Sequence, residues 1–290
     1  MKPDFSMPGV ELYRGDCLEI LPTMAEKSVD LVFGSPPYED ARLYDMDFRL
    51  KGQAWVDWMV KVVQASLRVS RGLVAFVVEG RTRKFRWSGT PVLLQADLIR
   101  AGVCLRKPPA YQRYGIPGSG GPDWWRNDYE FVVCATNGGK LPWSDNTATG
   151  APCKYGPGGA FGNRQQDGTR VSKGKERAAA GKPYIPPKLA NPGNVIRCIT
   201  GGGNMGDKLA HDNEAPFPEQ LAESFIRSFC PPGGIVLDPF SGSGTTAAVA
   251  LRWGRRAIGI DIRQSQIELC KRRIANAAPL FSQSEPSIEA

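Results

Sequence analysis

Two short stretches hold residue types and spacings that can do chemistry. The first, Gly34-Ser35-Pro36-Pro37-Tyr38-Glu39-Asp40, follows the apolar run "VDLVF". Consecutive prolines end a strand ladder and hold the chain extended, so a hydroxyl, a rigid diproline and an aromatic ring stand at a strand exit. The second, "LDPFSGSGTT" at 237–246, sets glycines where a strand turns tightly into a helix. Such a turn lets backbone N–H groups approach a ligand and aims the helix N-terminus at it. The lysine of a phosphate loop is missing, and the spacing is not that of the dinucleotide G-x-G-x-x-G. Asp261 ends the next strand, "GIDI", where an acid can accept hydrogen bonds from both hydroxyls of a ribose. A nucleoside-bearing cofactor without a pyrophosphate fits both observations.

Other chemistries are disfavoured by what the chain lacks. Its seven cysteines (17, 104, 134, 153, 198, 230 and 270) form no C-x-x-C pair, and His211 is the single histidine. A zinc site and a Ser-His-Asp or Cys-His mechanism are therefore not expected, and no metal is assigned. The scattered thiols read as mostly buried and reduced, in a cytosolic compartment. No basic-then-apolar leader and no bilayer-length apolar run is present, so a soluble, cytoplasmic protein without membrane partners is expected. The net charge of +8 suits an anionic partner such as nucleic acid.

The elements that must position these stretches alternate between strand and helix. Strands are expected at 10–16, 29–35 and 72–80, the last a near-continuous apolar run of a kind covered on both faces. Trp55, Met59, Val62, Val63 and Leu67 recur at helical spacing in 53–69. A helix near 91–101 and strand-like segments near 103–113 and 129–135 follow. This alternation predicts an α/β fold with a doubly wound, mostly parallel sheet. From about residue 140 the composition changes: 140–194 holds nine Gly, seven Pro, nine Lys or Arg and three acids, which is +6 of the net +8. That window reads as a loop-rich insertion or a solvated linker. Order returns near 215 with a helix whose apolar face carries Leu221, Phe225 and Phe229, then strand, turn and helix through 235–254, and a last strand and helix.

"DPFSGSGTT" resembles the S-adenosylmethionine motif of amino-group DNA methyltransferases, and "SPPY" resembles their [DNS]-PP-[YFW] catalytic motif. With "SPPY" ahead of "APFP" and "DPFSGSGTT", the order is similar to that of the β-class enzymes, over about 10–136 and 215–277. The resemblance implies a Rossmann-like class I methyltransferase fold with a catalytic half (1–139), a target-recognition insertion (140–200) and a cofactor-binding half (201–290). It implies that the Ser35 side chain and the Pro36 carbonyl accept hydrogen bonds from an exocyclic amino group, with Pro37 stiffening the motif and Tyr38 stacking on an extruded base. S-adenosylmethionine would be held by Asp16, Cys17, Ser35, Phe217, Asp238, Pro239, Phe240, Ser241, Gly242, Gly244, Thr245, Asp261 and Ile262. If the strands ending at Ser35 and Asp238 are neighbours at the topological switch point, cofactor and catalytic loop share one crevice.

Double-stranded DNA is the partner the resemblance implies, and the basic window supplies Arg164, Arg170, Lys173, Lys175 and Arg177 as candidate contacts, mainly to phosphates. "GRTRKFRW" at 80–87 mixes cations and aromatics at a strand exit, and reads either as a phosphate contact or as a plain exposed loop. "EDARLYDMDFRLKG" at 39–52 reads either as a loop that closes over DNA or as a polar connection. Pro152-Cys153 is read as incidental. Within the family, Ser before PPY is commoner in cytosine-N4 enzymes and Asp in adenine-N6 enzymes, so cytosine N4 leads and adenine N6 is the alternative. A silent DNA-binding relative of the same fold, or a methylase of RNA or of protein glutamine, stands further off. Homodimers are common in the class, though no residue pattern here points to one. The resemblance implies a bacterial or phage-encoded enzyme of the restriction-modification kind.

Overall fold

The computed structural model describes residues 2–40, 48–115, 121–153, 162–164, 167–172, 179–181, 188–200, 205–212 and 216–277. Contacts divide the chain into two compact units, Met1–Asp145 with Asn194–Ala290, and Asn146–Gly193. The first unit opens with β1 (Phe5–Met7), β2 (Val10–Arg14), α1 (Cys17–Ile20), β3 (Val29–Gly34), α2 (Gln53–Val69) and β4 (Ser70–Val78). It continues through β5 (Thr82–Arg83), β6 (Arg86–Trp87), α3 (Thr90–Arg100), β7 (Cys104–Arg106), β8 (Ala110–Tyr114) and β9 (Tyr129–Thr136). The second unit contains the antiparallel pair β10 (Gly162–Arg164) and β11 (Arg170–Ser172). The first unit resumes with β12 (Val195–Ile199), α4 (Glu219–Phe229), β13 (Ile235–Asp238), α5 (Thr245–Arg252), β14 (Arg256–Asp261) and α6 (Gln264–Ala277).

Ten strands form one sheet in the order β1-β2-β14-β13-β3-β4-β9-β8-β12, with β7 also on β9. From β2 to β4 every neighbouring pair is parallel, and β9 runs antiparallel to β4 and to β8. Helices cover both faces because the central strands are apolar on both. Leu31 and Phe33 of β3 pack with Phe225 of α4, Val249 of α5 and Ile267 of α6. Val32, one residue over, faces Trp55, Met59 and Val63 of α2 and Leu94 of α3. This is the doubly wound α/β architecture expected from the alternation of elements.

The order reverses at the β13–β3 pair, where Val236 lies opposite Leu31 and Leu237 opposite Val32. Asp30 stitches this seam: its carboxylate accepts from Arg71 Nε at 2.6 Å and Nη2 at 2.8 Å, and from the Ile235 N–H at 2.8 Å. Burial raises the Asp30 pKa, but those hydrogen bonds outweigh it and hold the group below its ordinary value. The strand-like segment expected across 103–113 is broken into β7 and β8, because Pro108 and Pro109 cannot donate to a ladder. Among the described residues no helix is long and apolar enough to cross a membrane, and no His, Cys, Asp and Glu cluster could hold a metal.

Candidate active site

Both chemistry-bearing stretches leave the sheet side by side, because β3 and β13 are parallel neighbours and end at the same edge. The approach is close: a Cβ on Gly34 would lie 2.3 Å from Asp238 Oδ1, so glycine is required before Ser35. An open cleft lies at this edge, in the place where doubly wound sheets bind their ligands. Ser35 and Pro37 line it from the β3 exit, and Pro239, Phe240, Ser241, Gly242 and Thr245 from the Gly-rich turn. Asp16 and Cys17 at the end of β2, Phe217 before α4, and Asp261 and Ile262 at the end of β14 complete the walls among the expected residues. Pro36, Tyr38, Asp238 and Gly244 stand beside the cleft without lining it.

The Gly-rich turn is built around two carboxylates with different tasks. Asp261 Oδ2 accepts from the Gly242 N–H at 2.9 Å, and Oδ1 accepts from the Arg263 N–H at 2.9 Å and from Arg263 Nε at 3.4 Å. Oδ2, with a single donor, keeps a further lone pair, so the group can still accept from a ligand hydroxyl. Asp238 is turned inward, 2% exposed, and accepts from the Phe240 N–H at 3.0 Å and Thr246 Oγ1 at 2.7 Å. Burial, with Asp261 nearby, pushes it up to about 7 despite those two donors. Gly242 and Gly244 take positive φ values of 48° and 79°, which a side chain would strain. Asp16 caps α1 by accepting from the Leu18 N–H at 2.8 Å. The neighbouring Cys17 thiol is pushed up to about 12 by burial and by Asp16, so it is no nucleophile at neutral pH.

On the other side, the diproline segment is fixed by its neighbours. Ser35 Oγ lies 3.4 Å from the Val77 carbonyl, a long contact that turns its proton toward β4 and its lone pairs elsewhere. Trp55 Nε1 donates to the Pro37 carbonyl at 2.9 Å. The Tyr38 hydroxyl donates to Glu130 Oε2 at 2.5 Å, while Arg113 Nη1 sits 3.3 Å from Glu130 Oε1. Burial raises the Glu130 pKa, and Tyr38 and Arg113 pull it back only in part. Glu39, also buried, accepts from the N–H groups of Gly52 at 3.1 Å and Arg81 at 2.9 Å and from Thr90 Oγ1 at 3.3 Å.

Several residues that shape the cleft carried no signal of their own in the sequence. Phe48 and Trp58 form an aromatic wall with ring centroids 5.0 Å apart, and Trp58 meets Phe240 at 5.6 Å. Trp58 lies outside the apolar stripe read for 53–69, so periodicity passed it over. Beneath the Gly-rich turn, Arg273 is fully buried and donates to Ser243 Oγ, Thr245 Oγ1 and Glu219 Oε1 at 3.1, 2.7 and 2.6 Å. Arg252 Nη1 completes the pairing of Glu219 at 2.7 Å. Nothing in the local pattern of α6 separates Arg273 from its basic neighbours Lys271 and Arg272.

Of the basic candidates, Arg164 and Arg170 are register partners in the β10–β11 pair of the second unit. Lys173, Lys175 and Arg177 lie outside the described residues, as do residues 41–47 of the 39–52 segment.

A family described as DNA methylase matches residues 29–272 of the chain. The Type II methyltransferase M.ScaI of Streptomyces caespitosus is 25% identical, covering 97% of this chain and 86% of that protein. The orphan methyltransferase M.BamHII of Bacillus amyloliquefaciens is 28% identical over 89% of this chain and 93% of its own. The DNA adenine methyltransferase YhdJ of Escherichia coli is 26% identical, with 91% and 82% covered. Among solved structures, the cytosine-N4-specific PvuII DNA methyltransferase aligns with a TM-score of 0.68 at 19% identity, over 97% of this chain and 94% of that one.

Proposed function

We infer the reaction from one premise: this chain belongs to the DNA methylase family that its residues 29–272 match. It is an S-adenosylmethionine-dependent methyltransferase acting on an exocyclic amino group in DNA. The finer reading we put forward is that the base is cytosine and the product N4-methylcytosine. The observation that carries the reaction is the single cleft shared by Ser35 and the Gly-rich turn, from strand ends that are sheet neighbours.

S-adenosylmethionine supplies an electrophilic methyl group, and the cleft suits it. The acid Asp261 stands where a ribose acceptor is needed, Gly242 allows close backbone approach, and Phe48, Trp58 and Phe240 offer an apolar wall. The chain's own task is to make a poor nucleophile attack. The lone pair of a base amino group is delocalised into the ring, and acceptors aimed at its hydrogens favour a pyramidal nitrogen and stabilise the positive charge that develops. The Ser35 hydroxyl, its own proton turned to the Val77 carbonyl, and the Pro36 carbonyl take that role. Trp55 holds the Pro37 carbonyl and Glu130 holds Tyr38, so the acceptors keep their direction when the base arrives. The target nitrogen is paired inside the duplex, so the base must be extruded to reach them.

Cytosine is favoured by Ser35, because serine at this position is commoner in cytosine-N4 enzymes. Adenine N6 is the second reading, favoured by the likeness to YhdJ, whose name gives adenine as its base. The test uses labelled S-adenosylmethionine, duplex DNA, digestion to nucleosides and mass identification. N4-methylcytosine supports the lead and N6-methyladenine replaces it. If no nucleoside is labelled on any DNA, the reading of the site is lost.

A further inference from the structure

The β5–β6 hairpin is a small structure that neither the cofactor cleft nor the amino-group acceptors use. It pairs Thr82 with Trp87 and Arg83 with Arg86, leaving Lys84 and Phe85 as its two-residue tip. Both tip residues have positive φ, 47° and 62°. A tight hairpin of this kind asks for that geometry and normally meets it with Asn or Gly. A bulky aromatic in the left-handed region is a strained choice, and strain kept at a surface tip points to a task there. Phe85 is 80% exposed, so it packs into no core. Single exposed apolar side chains are ordinary. A phenylalanine at the apex of a strained turn, between Arg83, Lys84 and Arg86, is a different matter.

The hairpin's base is tied to the catalytic segment. It leaves the end of β4, the strand whose Val77 carbonyl contacts Ser35. Arg81 N–H donates to Glu39 Oε1 at 2.9 Å, Arg81 Nη1 donates to the Asp40 carbonyl at 2.7 Å, and Arg83 Nη2 pairs with Asp40 Oδ2 at 2.5 Å. Glu39 and Asp40 directly follow Tyr38. Trp87 anchors the return strand by donating to Glu79 Oε1 at 3.1 Å and stacking on Phe131, ring centroids 6.1 Å apart. Lys84 and Arg86 have no acidic partner among the described residues, whereas Arg83 is already paired with Asp40.

We propose that this hairpin is a wedge that enters duplex DNA beside the target pair, with Phe85 stacking where the extruded base leaves a gap. Lys84 and Arg86 meet the flanking phosphates. Apolar side chains pushed between base steps lower the cost of unstacking, and cations beside them meet the backbone. The inference rests on the DNA-methylation reading and names the groups that open the duplex for it.

The experiment first maps the base that the wild-type protein methylates in plasmid DNA. It then compares wild type and Phe85→Ala on two synthetic duplexes carrying that site, one fully paired and one with the target base opposite an abasic position. On the paired duplex kcat/KM of Phe85→Ala should fall about tenfold or more, because the variant must open the stack unaided. On the abasic duplex, where pairing no longer resists extrusion, the two proteins should agree within about threefold. Phe85→Trp, which keeps a stacking ring, should stay near wild type on both. Equal rates for wild type and Phe85→Ala on the paired duplex overturn the wedge, as does an equal loss on both duplexes. Wild-type protein that methylates no DNA overturns the methylation reading and the wedge with it, whereas an active wild type beside an unimpaired variant overturns the wedge alone.

Discussion

The Tyr38 hydroxyl donates to Glu130 Oε2 at 2.5 Å, joining the aromatic ring of the diproline motif to a buried carboxylate on β9. The bond fixes the ring's plane before any base arrives. It also holds down the pKa of a carboxyl that burial pushes up.

Tyr38→Phe keeps the ring and removes the donor. A hydrogen bond to a charged group is worth about 1.5–3 kcal/mol, so kcat should fall by roughly ten- to a hundredfold if ring orientation limits transfer. Cofactor affinity, measured by equilibrium dialysis, should not change. An unaltered kcat would mean that Glu130 does not position Tyr38 for the reaction.

Ser35→Ala and Asp261→Ala should separate the two halves of the site. The first should abolish methyl transfer and leave S-adenosylmethionine binding within about twofold, since only an amino-group acceptor is lost. The second should raise the dissociation constant about tenfold or more, because it removes an acceptor for the ribose and the Gly242 anchor together. Calorimetric titration of both variants checks the split, and the opposite pattern would reverse the assignments.

Gly34→Ala places a Cβ 2.3 Å from Asp238 Oδ1. Neither β3 nor β13 can shift alone, since each is packed between parallel neighbours, and overpacking of this kind costs about 1–3 kcal/mol or more. A lowered melting temperature with weakened cofactor binding is expected. Wild-type stability would contradict the close approach.

Arg273→Met should be among the most destabilising changes outside the apolar core. It leaves Glu219 buried with Arg252 alone and strips donors from Ser243 and Thr245, and breaking a buried pair in this way costs about 3–5 kcal/mol. Urea unfolding gives the number. The cofactor dissociation constant should also rise, because the Gly-rich turn rests on this guanidinium.

Asp238 makes the ligand-free fold pH-sensitive in a defined direction. Its folded value near 7 lies above the ordinary carboxylate value, so the native state binds a proton that the unfolded chain has already released. The associated stability is full below about pH 4 and is lost as pH rises through about 7. Asp30 acts oppositely: its lowered pKa gives stability that is present above about pH 4 and lost on further acidification. Urea midpoints between pH 5 and 8 should therefore decline for wild type, and the decline should flatten in Asp238→Asn.

The layer architecture was legible because the central strands are continuous apolar runs and the helices keep their period. "SPPY", the Gly-rich turn and Asp261 were legible because each combines rare conformational demands with polar chemistry. What escaped was set by distance in the chain. Glu130 and Arg273 look like ordinary strand and helix charges until folding places Tyr38 beside one and Thr245 beside the other. The strand "VIRCI" at 195–199 was hidden in Gly- and Pro-rich surroundings, and only its parallel pairing with β8 makes it a strand.

The seam at Asp30 sets a timetable for synthesis. The Ile235 N–H that completes it follows 205 residues later, which at ~5–20 residues per second is on the order of 10–40 s of translation. Throughout that interval β3, buried at all its positions in the finished sheet, has no β13 to cover its edge. Chaperone occupancy on the ribosome should therefore peak after β3 emerges and fall only when β13 does, and the crevice that modifies DNA comes into being at that same moment.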